Sequence, residues 1–256
     1  MGETSSTADW VLVTGAGRRI GRTLALEFAA WGYAVAVHYN SSCSEALETV
    51  GEIRAGGGRA EAVQADLAEI ADVEALVPDL NARLGPITCL VNNASEFLED
   101  DLAALSPERW QRHLDVNLRA PVFLAKAFAA QLGATGPGNI INLIDQRVRR
   151  PTPEFFSYSV SKAGLWAATR MLAQALAPRV RVNGIGPGPV LASVYQSEDQ
   201  FARQCAATPL GRGTRPTEIA RAVRFILDAP AMTGQMIILD GGQHIAWQTP
   251  DGADGP

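Results

Sequence analysis

Two residues that could move a proton, Tyr158 and Lys162, lie four positions apart in the segment Tyr-Ser-Val-Ser-Lys. On a helix this spacing places both side chains on one face, about one turn apart. An ammonium group near a phenol favours the phenolate, so the pair predicts that Lys162 lowers the pKa of Tyr158 toward the range where a phenol acts as an acid. The chain has two lysines and twenty arginines. A compact ammonium is therefore used here where the chain elsewhere uses guanidinium groups.

The pair must be held by elements that alternate between strand and helix along the whole chain. Short apolar runs predict seven strands, at residues 10–14, 34–39, 60–65, 88–92, 139–144, 180–185 and 235–239. Amphipathic stretches between them predict helices, among them residues 22–31, 71–83, 107–132 and 157–176. Strands that alternate with helices imply a parallel sheet covered on both faces. We therefore predict an α/β fold with a doubly wound, seven-stranded parallel sheet.

One domain is predicted, because the interior has no linker and no internal repeat. It covers residues 9–247, between disordered tails at residues 1–8 and 248–256. Residues 187–209 have no strong strand signal, so a segment there would be free to act as a lid over a site.

The composition excludes several classes of function. Hydrophobic residues make up 47% and charged residues 19% of the 256 positions, which fits a globular protein with a large core. A net charge of −5 gives no general affinity for nucleic acid. Cys43, Cys89 and Cys205 are odd in number and widely spaced, so they indicate free thiols and no metal site. No signal-peptide region or apolar run of about 18 residues is seen, which predicts a cytoplasmic protein without a membrane partner.

The first predicted strand runs into a glycine-rich turn, Thr-Gly-Ala-Gly-Arg-Arg-Ile-Gly at residues 14–21. Such a turn between a strand and a helix brings backbone N–H groups and the positive helix end onto a pyrophosphate. The glycines do not follow the G-x-G-x-x-G spacing, so a plain tight turn remains the alternative.

The second strand ends in His38, Tyr39, Asn40 and Ser41. Folds that select NAD place an acidic residue near this strand end for the ribose hydroxyls. None is present here, and two arginines in the adjacent turn could attract a 2′-phosphate, which favours NADP(H). His38 either takes part in phosphate binding or is packed inside the strand.

Several further motifs lie at regular points along the chain. They are the turn at residues 14–21, Asp66, residues 92–95, Asn117, the Tyr158–Lys162 pair, Pro187 with Gly188, and residues 240–242. In order and spacing the chain resembles the short-chain dehydrogenase/reductase superfamily over nearly its whole length. The resemblance implies a Rossmann fold, a nicotinamide cofactor and usually a homotetramer.

The resemblance also implies roles for single residues. Tyr158 would be the general acid, and Lys162 would tune it and bind the nicotinamide ribose. Asn117 would support a proton-relay water, and Asp66 would contact the adenine. The full set expected to bind the cofactor is Gly15, Arg18, Arg19, Ile20, Gly21, His38, Tyr39, Asn40, Ser41, Asp66, Leu67, Asn93, Ala94, Ser95, Tyr158, Lys162, Pro187 and Gly188.

One departure from the superfamily concerns the residue thirteen positions before the tyrosine. Most members carry a serine there, which hydrogen-bonds a substrate carbonyl, whereas this chain has Asp145. A carboxylate only accepts hydrogen bonds and would repel a developing oxyanion. Reduction of a C=N bond forms no oxyanion, and an acceptor for substrate N–H groups suits it. Asp145 would also raise the pKa of Tyr158 and oppose Lys162. The alternative is a capping residue in an enzyme without carbonyl activity.

Arg19, Ser95, Phe97, Asp145 and Tyr158 together resemble the pteridine reductase branch, in which the corresponding residues bind the substrate. Phe97 would stack on a flat ring; alternatively it is an apolar anchor at the start of a helix. We therefore predict an NADPH-dependent reductase of a C=N bond in a small-molecule pterin of dihydropterin or dihydrofolate type, with Asp145, Tyr158, Lys162 and Asn117 as the catalytic set. The alternatives are a generic carbonyl or 3-ketoacyl reductase and a catalytically silent NADP-binding sensor.

Overall fold

A single sheet of seven parallel strands forms the centre of the molecule. The computed structural model describes residues 9–132 and 136–247, so both predicted tails lie outside the described residues. The strands follow the order β3-β2-β1-β4-β5-β6-β7 across the sheet. They are β1 Trp10–Val13, β2 Ala34–Tyr39, β3 Ala60–Gln64, β4 Ile87–Asn92, β5 Gly138–Leu143, β6 Val180–Pro187 and β7 Met236–Leu239. This order, which reverses direction between β1 and β4, confirms the predicted doubly wound Rossmann sheet.

Helices cover both faces of the sheet. They are α1 Arg19–Ala30, α2 Cys43–Ala55, α3 Ile70–Leu84, α4 Pro107–Leu114, α5 Ala120–Gln131, α6 Phe156–Leu176, α7 Glu198–Ala206 and α8 Pro216–Asp228. One apolar layer joins the sheet to α3, α5 and α6, with Leu80 and Phe128 at its centre. The other joins it to α1, α2 and α8 through Phe28, Ile53 and Val223. Burial of these two layers holds the strand ends in fixed positions relative to α6.

The predicted helix 107–132 contains a wider turn. Between α4 and α5 the chain forms a π-helical turn, Asp115–Arg119, in which the Ala120 N–H donates to the Asp115 carbonyl. Pro121, in the first turn of α5, has no N–H to donate to the carbonyl of Asn117. The extra width therefore falls where a backbone carbonyl has lost its usual helical partner.

The segment 187–209, for which no strand was predicted, contains a helix. α7 begins with a capping box in which Ser197 and Gln200 bond each other's backbone N–H groups. Val194, just before it, is 89% exposed. In the described part of the chain, none of the helices has the length and apolarity needed to cross a membrane.

Candidate active site

The candidate site lies where the carboxyl ends of β1, β4, β5 and β6 meet α6. The glycine-rich turn follows β1, Asp145 follows β5, and Tyr158 and Lys162 lie in the first two turns of α6. In doubly wound sheets this edge, at the point where the strand order reverses, is where ligands bind. The sheet thus brings the turn at residues 14–21 and the residues at 145–162 to one place.

Tyr158 and Asp145 form a direct pair. The Tyr158 hydroxyl donates to Asp145 Oδ2 at 2.8 Å, and the Arg147 N–H donates to Asp145 Oδ1 at 2.8 Å. Burial, followed by the charge and the hydrogen bond of Asp145, raises the pKa of Tyr158 well above its ordinary value. Burial also raises the pKa of Asp145, against the hydrogen bonds that it accepts. The pair therefore holds the tyrosine protonated.

The prediction that Lys162 lowers the pKa of Tyr158 is wrong for this site. Lys162 Nζ donates to the Leu143 carbonyl at 2.8 Å and lies 5.7 Å from the centre of the Tyr158 ring. Burial and Asp145 raise the pKa of Tyr158 against the charge of Arg147, so the predicted effect of Asp145 on the phenol is the one that prevails. Burial lowers the pKa of Lys162 itself to about 8, while Asp145 acts in the other direction. The ammonium is thus available near neutral pH, held by a backbone carbonyl.

Asn117 fixes the loop that follows β4. Its Oδ1 accepts from the Glu96 N–H at 2.8 Å and from Ser95 Oγ at 3.2 Å. Its Nδ2 donates to the Glu96 carbonyl at 2.9 Å and to Ser161 Oγ on α6 at 3.0 Å. The hydrogen bonds of the Asn117 side-chain amide therefore join this loop to α6. A proton-relay water would have to bind the backbone carbonyl of Asn117, the group left without its helical partner by Pro121.

The turn after β1 fits a pyrophosphate. Gly15 has φ +63°, and a Cβ there would lie 3.0 Å from Ala94 Cα. A Cβ at Gly21 would lie 2.1 Å from the Gly15 carbonyl oxygen, so this close approach requires glycine. Thr14 Oγ1 accepts from the N–H groups of Asn93 and Ala94, at 2.9 and 3.0 Å. The N–H groups of the first turn of α1, which have no intrahelical acceptor, remain for an anion.

His38 does not bind phosphate through its ring, contrary to one of the two predicted roles. The imidazole is 1% exposed. The Gly15 N–H donates to Nδ1 at 3.0 Å, and Nε2 lies 3.1 Å from the Ala65 carbonyl. A backbone N–H can only donate, so Nδ1 is the acceptor and Nε2 carries the proton. The packed alternative is correct, and the ring positions the glycine-rich turn.

We expect His38 to make the protein sensitive to acid. Burial lowers the pKa of His38 to about 4. The unfolded chain, with an ordinary histidine pKa near 6.5, takes up the proton first as the pH falls. The contribution of His38 to the free energy of unfolding is therefore fully present above pH 6.5. It falls by up to roughly 3 kcal/mol as the pH drops toward 4.

Denaturant unfolding of the wild type and of His38→Asn at several pH values between 7 and 4 measures this effect. Asparagine keeps an acceptor for the Gly15 N–H and does not titrate, so the variant should lose much of the acid slope while being less stable at pH 7. Equal acid slopes in the two proteins would contradict the assignment.

The remaining predicted cofactor residues lie along the same edge. Asn40 and Ser41 are exposed after β2, and Tyr39 is half-buried. Arg18 is exposed before α1, whereas Arg19, at φ +55°, extends toward the segment after β6. Arg19 Nη1 and Nη2 donate to the carbonyls of Ala192 and Leu191, at 2.9 and 3.2 Å. Of the two arginines in the turn, Arg18 is thus the one that could meet a phosphate on the ribose side.

The ends of β3 and β6 complete this edge. Asp66 Oδ1 accepts from the Ala68 N–H at 2.9 Å, and Leu67 is buried beside it. Ile20, in the first turn of α1, is half-buried against the apolar layer under α1, α2 and α8. A Cβ at Gly188, which follows Pro187, would lie 2.5 Å from Asp240 Cβ, so the chain needs glycine there to pass the end of β7.

Phe97 lies over the tyrosine in a cluster of aromatic rings. It stacks on Phe155 with ring centroids 4.3 Å apart and meets the ring of Tyr158 edge-on at 4.7 Å. Tyr195, from the segment after β6, lies 6.3 Å away. Phe97 lies in an irregular loop and not at a helix start, so the predicted alternative of a helix anchor is wrong. Phe155 and Tyr195 were not predicted, because no periodic pattern marks them.

A cavity of about 340 Å³ opens beside this cluster. Leu98, Glu99, Arg109 and Tyr195 line it. Over residues 9–132 and 136–247, no group of three or more His, Cys, Asp or Glu side chains is arranged to hold a metal ion. A flat apolar surface beside a buried acid and its acceptor is the arrangement that the site offers to a ring substrate.

The fold and this arrangement are those of a dinucleotide-dependent oxidoreductase. A family profile described as "Enoyl-(Acyl carrier protein) reductase" matches residues 15–244. The chain belongs to the short-chain dehydrogenase/reductase family.

Relatives of two kinds are similar to the chain. The solved structure of FolM alternative dihydrofolate reductase 1 from Brucella suis, in complex with NADP, is 48% identical with a TM-score of 0.91, covering 95% of this chain and 98% of that one. The 3-oxoacyl-[acyl-carrier-protein] reductase of Synechocystis is 36% identical over 93% of this chain and 98% of its own length. A ketoacyl reductase of Streptomyces violaceoruber, described as putative and assigned to the granaticin polyketide synthase, is 35% identical over 96% and 100%.

Proposed function

We propose that this protein reduces the C=N bond of a dihydropterin or dihydrofolate-type substrate. The observation that carries the proposal is the hydrogen bond of 2.8 Å from the Tyr158 hydroxyl to Asp145 Oδ2. It places an acceptor-only group at the point where a carbonyl reductase needs a donor. The cofactor is NADP(H), as in the structural relative from Brucella suis.

Asp145 discriminates between the two kinds of substrate by its charge. A ketone that receives a hydride develops negative charge on oxygen, and a carboxylate next to that oxygen raises the energy of the transition state. A pterin presents amino and ring N–H groups, which a carboxylate can accept in charge-assisted hydrogen bonds. The Asp145 oxygens already accept one bond each, from Tyr158 and Arg147, and each keeps a second lone pair for a substrate N–H.

The proton has a defined source in Tyr158. The nicotinamide, when bound, supplies the hydride to the ring carbon. Tyr158 gives its proton to the ring nitrogen, because its raised pKa keeps the hydroxyl protonated until the nitrogen becomes basic. The phenolate that results would lie beside the Asp145 carboxylate, so it needs a cation. Lys162, held at the Leu143 carbonyl, is that cation.

Phe97 and Phe155 favour a flat substrate. Their rings lie face to face with an interplanar angle of 8°, and this stack of two rings forms an aromatic wall beside Tyr158. Offset stacking of a heterocycle on such a wall is favourable beyond the area that it buries. A linear acyl chain gains no comparable contact. The segment after β6 contributes Tyr195 to the same wall, as a lid would.

A generic 3-ketoacyl reductase is the second candidate. The similarity to the ketoacyl reductase of Streptomyces violaceoruber and the 3-oxoacyl-[acyl-carrier-protein] reductase of Synechocystis favours it. Asp145 argues against it, because no hydroxyl donor stands at that position. The presence of Tyr158 and Lys162 argues against the third alternative, a catalytically silent NADP-binding sensor. The homotetramer implied by the family resemblance and the cytoplasmic location predicted from the sequence remain part of the proposal.

Steady-state oxidation of NADPH with three substrates tests the proposal. Dihydrobiopterin and dihydrofolate represent the pterins, and an acetoacetyl thioester represents the ketones. We expect kcat/KM for one of the pterins to exceed that for the thioester by at least about a hundredfold, the worth of one or two charge-assisted hydrogen bonds. Turnover of the thioester alone would refute the proposal, and NADPH binding without any turnover would favour the sensor.

A further inference from the structure

Three buried polar side chains outside the catalytic set form a hydrogen-bonded chain beside Tyr158. They are Asp100, His113 and Ser157, exposed by 3%, 0% and 0%. His113 Nδ1 lies 2.6 Å from Ser157 Oγ, and Ser157 Oγ donates to an Asp100 carboxylate oxygen. The Leu98 N–H donates to His113 Nε2 at 3.0 Å. Every polar atom of the imidazole is therefore used.

The Leu98 N–H fixes which atoms donate and which accept along this series of hydrogen bonds. A backbone N–H can only donate, so His113 Nε2 is an acceptor and the ring proton is on Nδ1. Nδ1–H then donates to Ser157 Oγ, whose own proton goes to Asp100. His113 must be neutral for all three bonds to exist. A protonated ring would turn an N–H toward the Leu98 N–H.

These hydrogen-bonded side chains join the loop that carries Phe97 to the helix that carries Tyr158. Asp100 Oδ1 accepts from the Ser157 N–H at 3.2 Å, and the Asp100 carbonyl accepts from the Phe156 N–H at 3.2 Å. These are first-turn N–H groups of α6, which have no intrahelical acceptor. Phe155, the residue before α6, has no side-chain acceptor to cap them. Asp100 therefore caps α6 from another part of the chain.

We propose that His113 is a positioning residue that sets substrate affinity by holding the Phe97 loop against the catalytic helix. Leu98, the residue that it binds, follows Phe97 directly and lines the cavity beside it. The imidazole does not act on the substrate itself, because its ring centre is 6.1 Å from that of Tyr158 and both nitrogens are bonded. This inference rests on the proposed stacking of the substrate against Phe97.

Titratable groups from three elements face His113. Burial lowers the pKa of His113 below its ordinary value, Asp100 and Glu96 from the Phe97 loop raise it, and Lys162 from α6 and Arg109 from its own helix lower it further. The ring is therefore neutral at pH 7. Below pH 6.5 the fraction of protonated ring grows, and the bond to Leu98 is lost with it.

Two substitutions at His113 separate positioning from simple packing. In His113→Gln the side-chain oxygen reaches the place of Nε2 and can accept from the Leu98 N–H. In His113→Asn the shorter amide reaches only the place of Nδ1 and keeps the contact with Ser157. The two variants thus keep opposite hydrogen bonds of the imidazole, the one to Leu98 in His113→Gln and the one to Ser157 in His113→Asn, and neither titrates.

Steady-state kinetics with dihydrobiopterin at pH 7.5 should distinguish the two variants. We expect His113→Asn to raise KM about tenfold, the usual worth of one buried hydrogen bond, with kcat and the Kd for NADPH within about twofold of wild type. Wild type should show a rise in KM as the pH falls below 6.5, and His113→Gln should keep KM near the wild-type value without that rise. Equal KM values for the two variants, or parallel changes in KM, kcat and NADPH affinity, would overturn the inference.

Hydrogen exchange of the Leu98 amide provides a readout that needs no substrate. Exchange should be faster in His113→Asn than in wild type and close to wild type in His113→Gln, measured on the NADPH complex. If no pterin is turned over but the amide shows this pattern, the proposed substrate is wrong and His113 still positions the Phe97 loop. If both variants exchange as wild type does, the positioning role of His113 is refuted whatever the substrate.

Discussion

Tyr158→Phe is expected to lower kcat for a dihydropterin by about a thousandfold, within the range of 10² to 10⁴ typical of a general acid. The hydroxyl is the group in the site whose proton can reach a substrate ring nitrogen, because burial and Asp145 keep it protonated. Lys162 is bonded to the Leu143 carbonyl and cannot replace it. Single-turnover reduction, followed by NADPH absorbance, measures the chemical step directly.

The phenylalanine ring retains the packing of the tyrosine, which makes this a matched substitution. Its edge still meets Phe97, whose centroid is 4.7 Å from that of Tyr158. The Kd for NADPH and the thermal midpoint should therefore change little. A kcat within tenfold of wild type would show that another group delivers the proton.

Asp145→Ser should reduce kcat/KM for a dihydropterin by about a hundredfold and raise the rate with a ketoacyl thioester. Removal of the carboxylate loses charge-assisted hydrogen bonds to substrate N–H groups, each worth about 1.5–3 kcal/mol. Serine adds a hydroxyl that can donate to a carbonyl oxygen. It can also accept from the Arg147 N–H as Asp145 does, so the turn after β5 should be retained. The ratio of the two kcat/KM values is the quantity to measure.

Asp145→Asn is the control that separates charge from shape. The amide has nearly the size of the carboxylate, but one of its two oxygen positions becomes a donor. Pterin turnover should fall in this variant as well, without a gain of ketone turnover comparable to that of serine. Pterin kcat/KM unchanged in Asp145→Ser would refute the role given to the carboxylate.

The sheet could be predicted from the sequence because its strands are buried on both faces. Residues 34–37 are apolar throughout, and five of the six residues of β2 are buried. The π-helical turn at Asn117 was not predicted, although the sequence contains Pro121, which cannot donate to the carbonyl four positions earlier. Helical periodicity alone does not distinguish a wider turn from an unbroken helix.

The electrostatics of the site could not be predicted from spacing. The four-residue interval between Tyr158 and Lys162 places them on one helix face but gives neither their burial nor their distance from Asp145. Those depend on how β5 ends beside α6, which is a property of the packed fold. The neutral state of His38 has the same origin, since Gly15 and Ala65 reach it from two separate loops.

The aromatic wall shows a further limit of sequence reasoning. Phe97 was selected from a family resemblance, whereas Phe155 and Tyr195 come from irregular segments without periodicity. Phe155 adopts φ +53°, a conformation rare for a side chain of its size, and this turns its ring onto Phe97. Such contacts depend on backbone geometry that a pattern of residue types does not encode.

The central claim is that the site passes a hydride to a carbon of a C=N bond and not to a ketone. A competition between dihydrobiopterin and an acetoacetyl thioester, at equal concentrations and with NADPH deuterated at C4 of the nicotinamide, tests it in one measurement. We predict that NMR of the products finds deuterium on the pterin ring carbon next to the newly protonated nitrogen. Deuterium found on the hydroxyl-bearing carbon of the acyl product, with the pterin unlabelled, would contradict it.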